Sequence, residues 1–66
     1  MDAVQRRAAL SDYLSQAAGP VSASVLAARF SVSRQIIVGD IALLRAGGLD
    51  IAATPRGYVL SGQRPG

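Results

Sequence analysis

Residues 21–60 decide the fold of this chain, and they read VSASVLAARFSVSRQIIVGDIALLRAGGLDIAATPRGYVL. Two apolar segments with helical spacing lie on either side of a short polar turn that opens with Ser31. The pair Gly47-Gly48 follows the second segment and predicts its end. Two alternating segments then flank Thr54-Pro55-Arg56-Gly57, a sequence typical of a tight β-hairpin. The stretch predicts a helix, a turn, a second helix and a hairpin, in that order.

A further helix is expected before this stretch, beginning after Asp2 as its N-cap and ending at Gly19-Pro20. Its predicted buried face repeats at i, i+3, i+4 and i+7 and consists of Leu10, Tyr13, Leu14 and Ala17. This helix is interpreted as scaffold. Arg6 and Arg7 are interpreted as a solvated pair on its surface, with a phosphate contact as the alternative.

The second helix is predicted to be about two turns long, with Ser22 as its N-cap. Its expected apolar stripe consists of Val25, Leu26 and Phe30, with Ala27 at the close helix crossing. In the turn that follows, Val32 is expected to point into the core. Ser33 is expected to cap the third helix through its hydroxyl.

The third helix is predicted over residues 34–46, with Ile37, Ile41 and Leu44 on its buried side. At 100° per residue, the opposite side carries Gln35, Gly39 and Ala42, flanked by Arg34, Val38 and Arg45. Asp40 lies beside the buried stripe, where a carboxylate is expected to pair with an arginine such as Arg29. Asp40 is therefore interpreted as a structural residue.

Residues 49–53 and 58–60 are predicted to form two short strands, with Arg56 at the tip of their connection. Tyr58 is expected to pack in the core. The predicted fold class is α+β, mainly helical: a three-helix helix-turn-helix with a C-terminal two-stranded β-wing. The domain is expected to cover residues 1–61, and residues 62–66 are interpreted as a flexible tail or the start of a linker.

Composition excludes several kinds of site. The 66 residues contain no cysteine and no histidine, which removes disulfides, thiolate chemistry and imidazole acid–base work. The four acids are scattered aspartates without paired spacing, so no catalytic residue, metal site or cofactor site is expected. The apolar runs are far shorter than the ~20 residues that a membrane span needs. A cytoplasmic location and no membrane association are expected.

The exposed side of the third helix and the hairpin tip are the candidate DNA-binding surface. Its residues are Ser33, Arg34, Gln35, Val38, Gly39 and Arg56. Arg34 and Gln35 lie in the first turn, from which a recognition helix reaches base edges, and their side chains suit bidentate contacts to guanine and adenine. Val38 suits a thymine methyl, and Gly39 would allow close backbone approach. Arg56 suits phosphate or the minor groove.

Plainer interpretations stay open for the same residues. Arg34 and Gln35 are also typical of a hydrated helix face, and Arg56 is also typical of a solvated loop. Gly39 is equally explained as a glycine that the helix merely tolerates. The net charge of +3, from seven arginines and no lysine, suits a polyanionic partner without identifying one. Double-stranded DNA is the expected partner. A single module of this size makes few contacts with DNA. Tight binding therefore needs two copies, and a homodimer is expected.

A family resemblance rests on SRQIIVGDIALLRAGG, residues 33–48, and DIAATPRGYVL, residues 50–60. These segments resemble the N-terminal helix-turn-helix of niacin-responsive (NiaR-type) transcriptional repressors of NAD biosynthesis, and more loosely that of biotin-ligase repressors. The resemblance implies a dimeric repressor on an inverted-repeat operator, with contacts from Ser33, Arg34, Gln35 and Arg56. It also implies a second, histidine-rich metal-containing domain that senses nicotinic acid. Without histidine, that effector-binding domain is expected to be absent from these 66 residues.

Two other functions fit the same pattern. Winged helices also serve as protein–protein interaction modules. The chain would also suit the accessory N-terminal domain of an enzyme such as a biotin ligase, with the chemistry carried elsewhere.

Overall fold

A computed structural model describes residues 2–63 of the chain. Its elements follow one another as α1 (Ala3–Gln16), α2 (Ala23–Phe30), α3 (Arg34–Ala46), β1 (Leu49–Thr54) and β2 (Gly57–Gln63). The two strands form one antiparallel sheet. The predicted winged helix-turn-helix, α+β and mainly helical, is therefore confirmed. Within the described residues, no helix combines the length and apolar character needed to cross a bilayer.

The predicted helix caps are confirmed. Asp2 accepts a hydrogen bond from the Gln5 N–H at 2.8 Å, which begins α1. Ser22 and Ser33 begin α2 and α3 in the same way, each hydroxyl oxygen accepting from the backbone N–H three residues later at 3.2 Å. Each cap satisfies a backbone donor that the first helical turn leaves unpaired. These local bonds fix where each helix starts.

The core lies where the three helices and the sheet meet. Its buried members are Leu10, Leu14, Leu26, Ala27, Ile37, Ile41 and Ile51. Tyr13, Phe30, Val32, Leu44 and Tyr58 are partly buried and pack against them, as the apolar spacing predicts. Two predicted core residues lie outside this cluster: Ala17 is the C-cap of α1 and only half-buried, and Val25 has a side chain that is 51% exposed. In so short a helix, Leu26 and Ala27 face the core and leave Val25 on the outer side.

Helix α1 ends earlier than predicted. Its last residue is Gln16, and the C-cap Ala17 already has extended backbone angles, so Gly19-Pro20 lie beyond the helix. The chain then crosses to the wing, where Val21 pairs with Tyr58 through two backbone hydrogen bonds. The Val21 N–H donates to the Tyr58 carbonyl at 2.9 Å, and the Tyr58 N–H donates to the Val21 carbonyl at 2.8 Å. This bridge lies beyond the end of the helix.

The hairpin is longer than predicted at both ends. Thr54 pairs with Gly57 across a two-residue turn, and β2 continues past Leu60 to Gln63. The register shifts between Asp50 and Ile51: Ile51 pairs with Leu60, whereas Asp50 pairs with Gly62, so that Ser61 is skipped. This irregularity allows pairing to resume beyond Ser61. Residues 62 and 63, predicted to begin a flexible tail, thus belong to the strand, whereas residues 64–66 of that predicted tail lie outside the described residues.

Asp40 is buried and structural, as predicted, but its partner is Arg6 rather than Arg29. The Arg6 Nε and Nη2 atoms both donate to the carboxylate, the second at 3.0 Å, and Arg7 Nη1 lies 3.8 Å from it. The hydrogen bond to Asp40 raises the pKa of Arg6 above its ordinary value. The interpretation of Arg6 and Arg7 as a solvated pair is therefore wrong, because both are half-buried beside Asp40. The ion pair ties α1 to α3.

Arg29 has a different partner. Its guanidinium carbon lies 4.5 Å from the centre of the Tyr13 ring, and Tyr13 in turn meets Phe30 edge-on at 6.4 Å between ring centroids. This arrangement is a cation–π contact. It places the Arg29 guanidinium over a side chain of α1.

Candidate nucleic-acid interface

Helix α3 presents the outer side that its periodicity predicts. Gln35, Gly39 and Ala42 are exposed, and so are Arg34 and Arg45 on the flank. Val38, also on that flank, is 48% exposed although it is apolar. Burial of Ile37 and Ile41 holds the opposite side of the helix against the core. The side chains of the outer face are therefore available to a partner without any change in the core.

The first turn of α3 brings three of the predicted residues together. Arg34, Gln35 and Val38 line one shallow surface depression. It combines a planar cationic donor, an amide that both donates and accepts, and an apolar side chain. The edges of base pairs in a major groove offer matching groups: acceptors on guanine, a donor–acceptor pair on adenine and the methyl of thymine.

Ser33 lies at the start of this face and is exposed. Its hydroxyl oxygen accepts from the Ile36 N–H at 3.2 Å, and this bond occupies a lone pair and leaves the hydroxyl proton to donate. A phosphate oxygen is a suitable acceptor for that proton. The N-terminus of α3 also carries partial positive charge, which favours an anion at this point.

Gly39 lies on the same outer face, one turn beyond Gln35. A Cβ atom built on Gly39 would meet no heavy atom within 4 Å. The space above it is open, so nothing within the described residues requires glycine here. Because glycine in a helix interior costs ~1 kcal/mol relative to alanine, the fold alone would favour a larger residue.

Arg56 is exposed at the tip of the wing, on a separate element from the depression on α3. The turn beneath it is held by Thr54, whose hydroxyl donates to the Gly57 carbonyl at 2.7 Å and accepts from the Arg56 N–H at 3.2 Å. Gly57 has φ +137°, and a Cβ there would lie 2.4 Å from the Val21 carbonyl carbon. The backbone that carries Arg56 is therefore fixed from two sides.

Sequence reasoning missed two exposed apolar side chains on α3. Ile36 is 42% exposed and Leu43 is 57% exposed, on the flank opposite to Arg34 and Val38. The 100° spacing places both outside the buried stripe, so this signal was present in the sequence. The link between Val21 and the wing was also missed, and no local pattern indicates it.

Comparison of the sequence with known proteins identifies related proteins. A family model described as an HTH domain matches residues 6–59. The probable transcription repressor NiaR of Thermotoga maritima is 62% identical over 47 residues, which cover 71% of this chain and 27% of that protein. The transcription repressor NadR of Bacillus subtilis strain 168 is 44% identical over 54 residues, which cover 82% of this chain and 30% of that protein.

These matches confirm the resemblance to NiaR-type repressors that the sequence indicates. The chain spans less than a third of the length of either relative. The family match, by contrast, includes all three helices almost entirely and most of the wing. From the first turns of α1 to the second strand, the chain belongs to the HTH domain family.

Proposed function

We propose that this domain binds double-stranded DNA sequence-specifically, as part of a transcriptional repressor. The observation that carries the proposal is the depression formed by Arg34, Gln35 and Val38 on the first turn of α3. In a helix-turn-helix, the N-terminal residues of the recognition helix, here α3, contact base edges while the preceding helix, here α2, crosses the DNA backbone. The three side chains stand at that position and have the required chemistry.

In this arrangement α3 enters the major groove. Arg34 pairs with guanine, Gln35 with adenine, and Val38 packs against a thymine methyl. Ser33 donates to a phosphate, and Gly39 lets the helix backbone approach the DNA closely. Arg56 contacts the flanking backbone or the minor groove from the wing. The function is binding alone and calls for no catalytic residue.

The regulatory role is proposed from the relatives. Both are named as transcription repressors, and the sequence resemblance connects the chain to genes of NAD and niacin metabolism. Repression would follow from occlusion of a promoter by a homodimer in the cytoplasm. The half-sites of such a dimer lie a whole number of DNA turns apart, ~34 Å per turn.

The first test is selection of bound sequences from a random duplex library at about 0.15 M salt, repeated with Arg34→Ala. The wild-type chain is expected to enrich a motif, and an inverted repeat would support the dimer. Arg34→Ala is expected to lower affinity by ~1 to 3 kcal/mol and to relax the preference at one base pair. Arg56→Ala is expected to weaken binding to all sequences and to reduce the salt dependence.

Arg29→Gln serves as a control in the same selection, because Arg29 lies over the Tyr13 ring on the side of α2 that faces α1. It is expected to enrich the wild-type motif. If no motif is enriched and duplex is not retained, the proposal is wrong. Binding to a protein partner that is insensitive to salt would then support an interaction module instead.

A further inference from the structure

The arginines of the described chain divide into two groups. Three have a partner within the domain: Arg6 and Arg7 lie against the Asp40 carboxylate, and Arg29 lies over the Tyr13 ring. The other three, within residues 2–63, have no carboxylate within 4.0 Å and no aromatic ring beneath them; they are Arg34, Arg45 and Arg56. Two of these belong to the proposed DNA interface already. Arg45 has no role in it so far.

Arg45 lies on the same side of α3 as Arg34 and Val38. Eleven residues separate the two arginines, which is about three helical turns, so they lie within about 20° of each other around the axis and roughly 16 Å apart along it. Both are exposed. The flank that carries Arg34 and Val38 thus has a cation at each end.

The separation between the two arginines indicates what Arg45 can reach. A major groove is about 12 Å wide, so when the first turn of α3 lies at the base edges, a residue roughly 16 Å further along the helix has passed them. The sugar–phosphate backbone borders the groove at that point. A guanidinium group there meets phosphate oxygens, which it can bind through two parallel hydrogen bonds.

A simpler role for Arg45 is stabilisation of the helix end, because a cation in the last turn interacts favourably with the helix dipole. Arg29 occupies the equivalent place in the last turn of α2. Arg29, however, lies over the Tyr13 ring, whereas Arg45 extends from the flank of α3 that also carries Arg34 and has no such partner within residues 2–63. Both arginines can stabilise the C-terminal end of their helix. They differ in their surroundings, because only Arg29 has an aromatic ring beneath its guanidinium.

We propose that Arg45 is a DNA phosphate contact at the C-terminal end of the recognition helix. The inference rests on the proposed function and adds a residue to that interface. It gives α3 a fixed contact at each end: base edges at Arg34 and Gln35, and backbone at Arg45. Because a phosphate contact carries no sequence information, Arg45 sets the position of the helix in the groove and adds affinity for every duplex equally.

The test compares Arg45→Gln with Arg29→Gln, a matched pair that removes one exposed arginine from the last turn of one helix. Affinities of the 66-residue chain are measured from 0.05 to 0.4 M KCl on two duplexes, one carrying the enriched motif and one of random sequence. Loss of one phosphate contact is expected to reduce the slope of log K against log salt by about 0.9. At about 0.15 M salt this corresponds to roughly fivefold weaker binding to both duplexes.

Arg29→Gln is expected to leave the slope unchanged, and Arg45→Lys, which keeps the charge, is expected to retain most of it. A wild-type slope in Arg45→Gln would overturn the inference and leave the proposed function standing. A changed base preference in Arg45→Gln would also overturn it, since that result indicates a base contact. If the wild-type chain binds neither duplex at any salt concentration, the proposed function and the inference both fail.

Discussion

A methyl group added to Gly39 would point into open space, whereas one added to Gly57 would lie 2.4 Å from the backbone of Val21. Both glycines are on surfaces proposed to meet DNA, yet the two surfaces are held differently. The outer face of α3 is fixed from beneath, by the buried side of its own helix. The wing turn is fixed from outside the hairpin, by the segment between α1 and α2. Side chains on the outer face of α3 can therefore vary at little cost to the fold, whereas Gly57 in the wing turn cannot.

The largest expected effect is that of Gly57→Ala. The added Cβ would overlap backbone atoms of Val21 and Ser22, and φ +137° is unfavourable for any L side chain. Relieving the overlap requires the wing to separate from Val21, which loses two hydrogen bonds. We expect the free energy of unfolding to fall by about 3 kcal/mol. Urea unfolding followed by circular dichroism measures this free energy. An unchanged midpoint would show that the packing of Gly57 against Val21 does not restrict the wing.

A smaller loss is expected for Thr54→Val, which keeps the shape of the side chain and removes its hydroxyl. The variant loses the hydrogen bond to the Gly57 carbonyl and the one from the Arg56 N–H. Together these are expected to stabilise the turn by about 1 to 2 kcal/mol. Thr54→Ser, which retains the hydroxyl, is the control. If both variants unfold at the wild-type urea concentration, the hydroxyl does not hold the turn.

Gly39→Ala is expected to have the opposite sign. Alanine should raise the free energy of unfolding by ~1 kcal/mol, because the position is helical, exposed and uncrowded. If the helix backbone approaches DNA closely here, the same variant binds the selected duplex more weakly in spite of its greater stability. Measuring both quantities separates the two effects. Greater stability with unchanged affinity would remove Gly39 from the proposed interface.

The smallest effect is expected at Ser31, in the turn between α2 and α3. Ser31 has φ +55°, a left-handed conformation that costs an L residue ~1 kcal/mol or more. Glycine relieves this cost but loses more entropy on folding. We expect Ser31→Gly to raise the free energy of unfolding by about 0.5 kcal/mol. A decrease, measured by urea unfolding, would mean that the serine side chain stabilises the turn through contacts of its own.

The parts of the fold that the sequence predicted well are those decided locally. A serine cap bonds to a backbone N–H three residues later, so Ser22 and Ser33 could be identified without knowing the tertiary structure. The bounds of α3 were predicted correctly because a cap precedes it and Gly47 follows it. The exposed position of Arg34, Gln35 and Val38 follows from the same helical period.

The errors concern contacts between residues far apart in the chain. Nothing local distinguishes Arg6 from Arg29 as the partner of Asp40, because a carboxylate accepts hydrogen bonds from any guanidinium and the tertiary structure decides which one is near. The bridge of Val21 to Tyr58 and the added length of β2 depend on pairing with strands that lie far away in the sequence. The assignment of Ser33, Arg34, Gln35, Val38, Gly39 and Arg56 to a DNA interface stays a prediction, because recognition depends on a partner as well as on exposure.

The pairing of Val21 with Tyr58 has a consequence for motion. It closes a loop that contains α2, α3 and β1, so the wing is hydrogen-bonded to the segment before α2 and cannot swing as a flap hinged at β1 alone. The amide protons of Val21 and Tyr58 take part in the same bridge, and opening it exposes both to solvent together. Fluctuations at the wing tip are in this way coupled to the segment that follows α1.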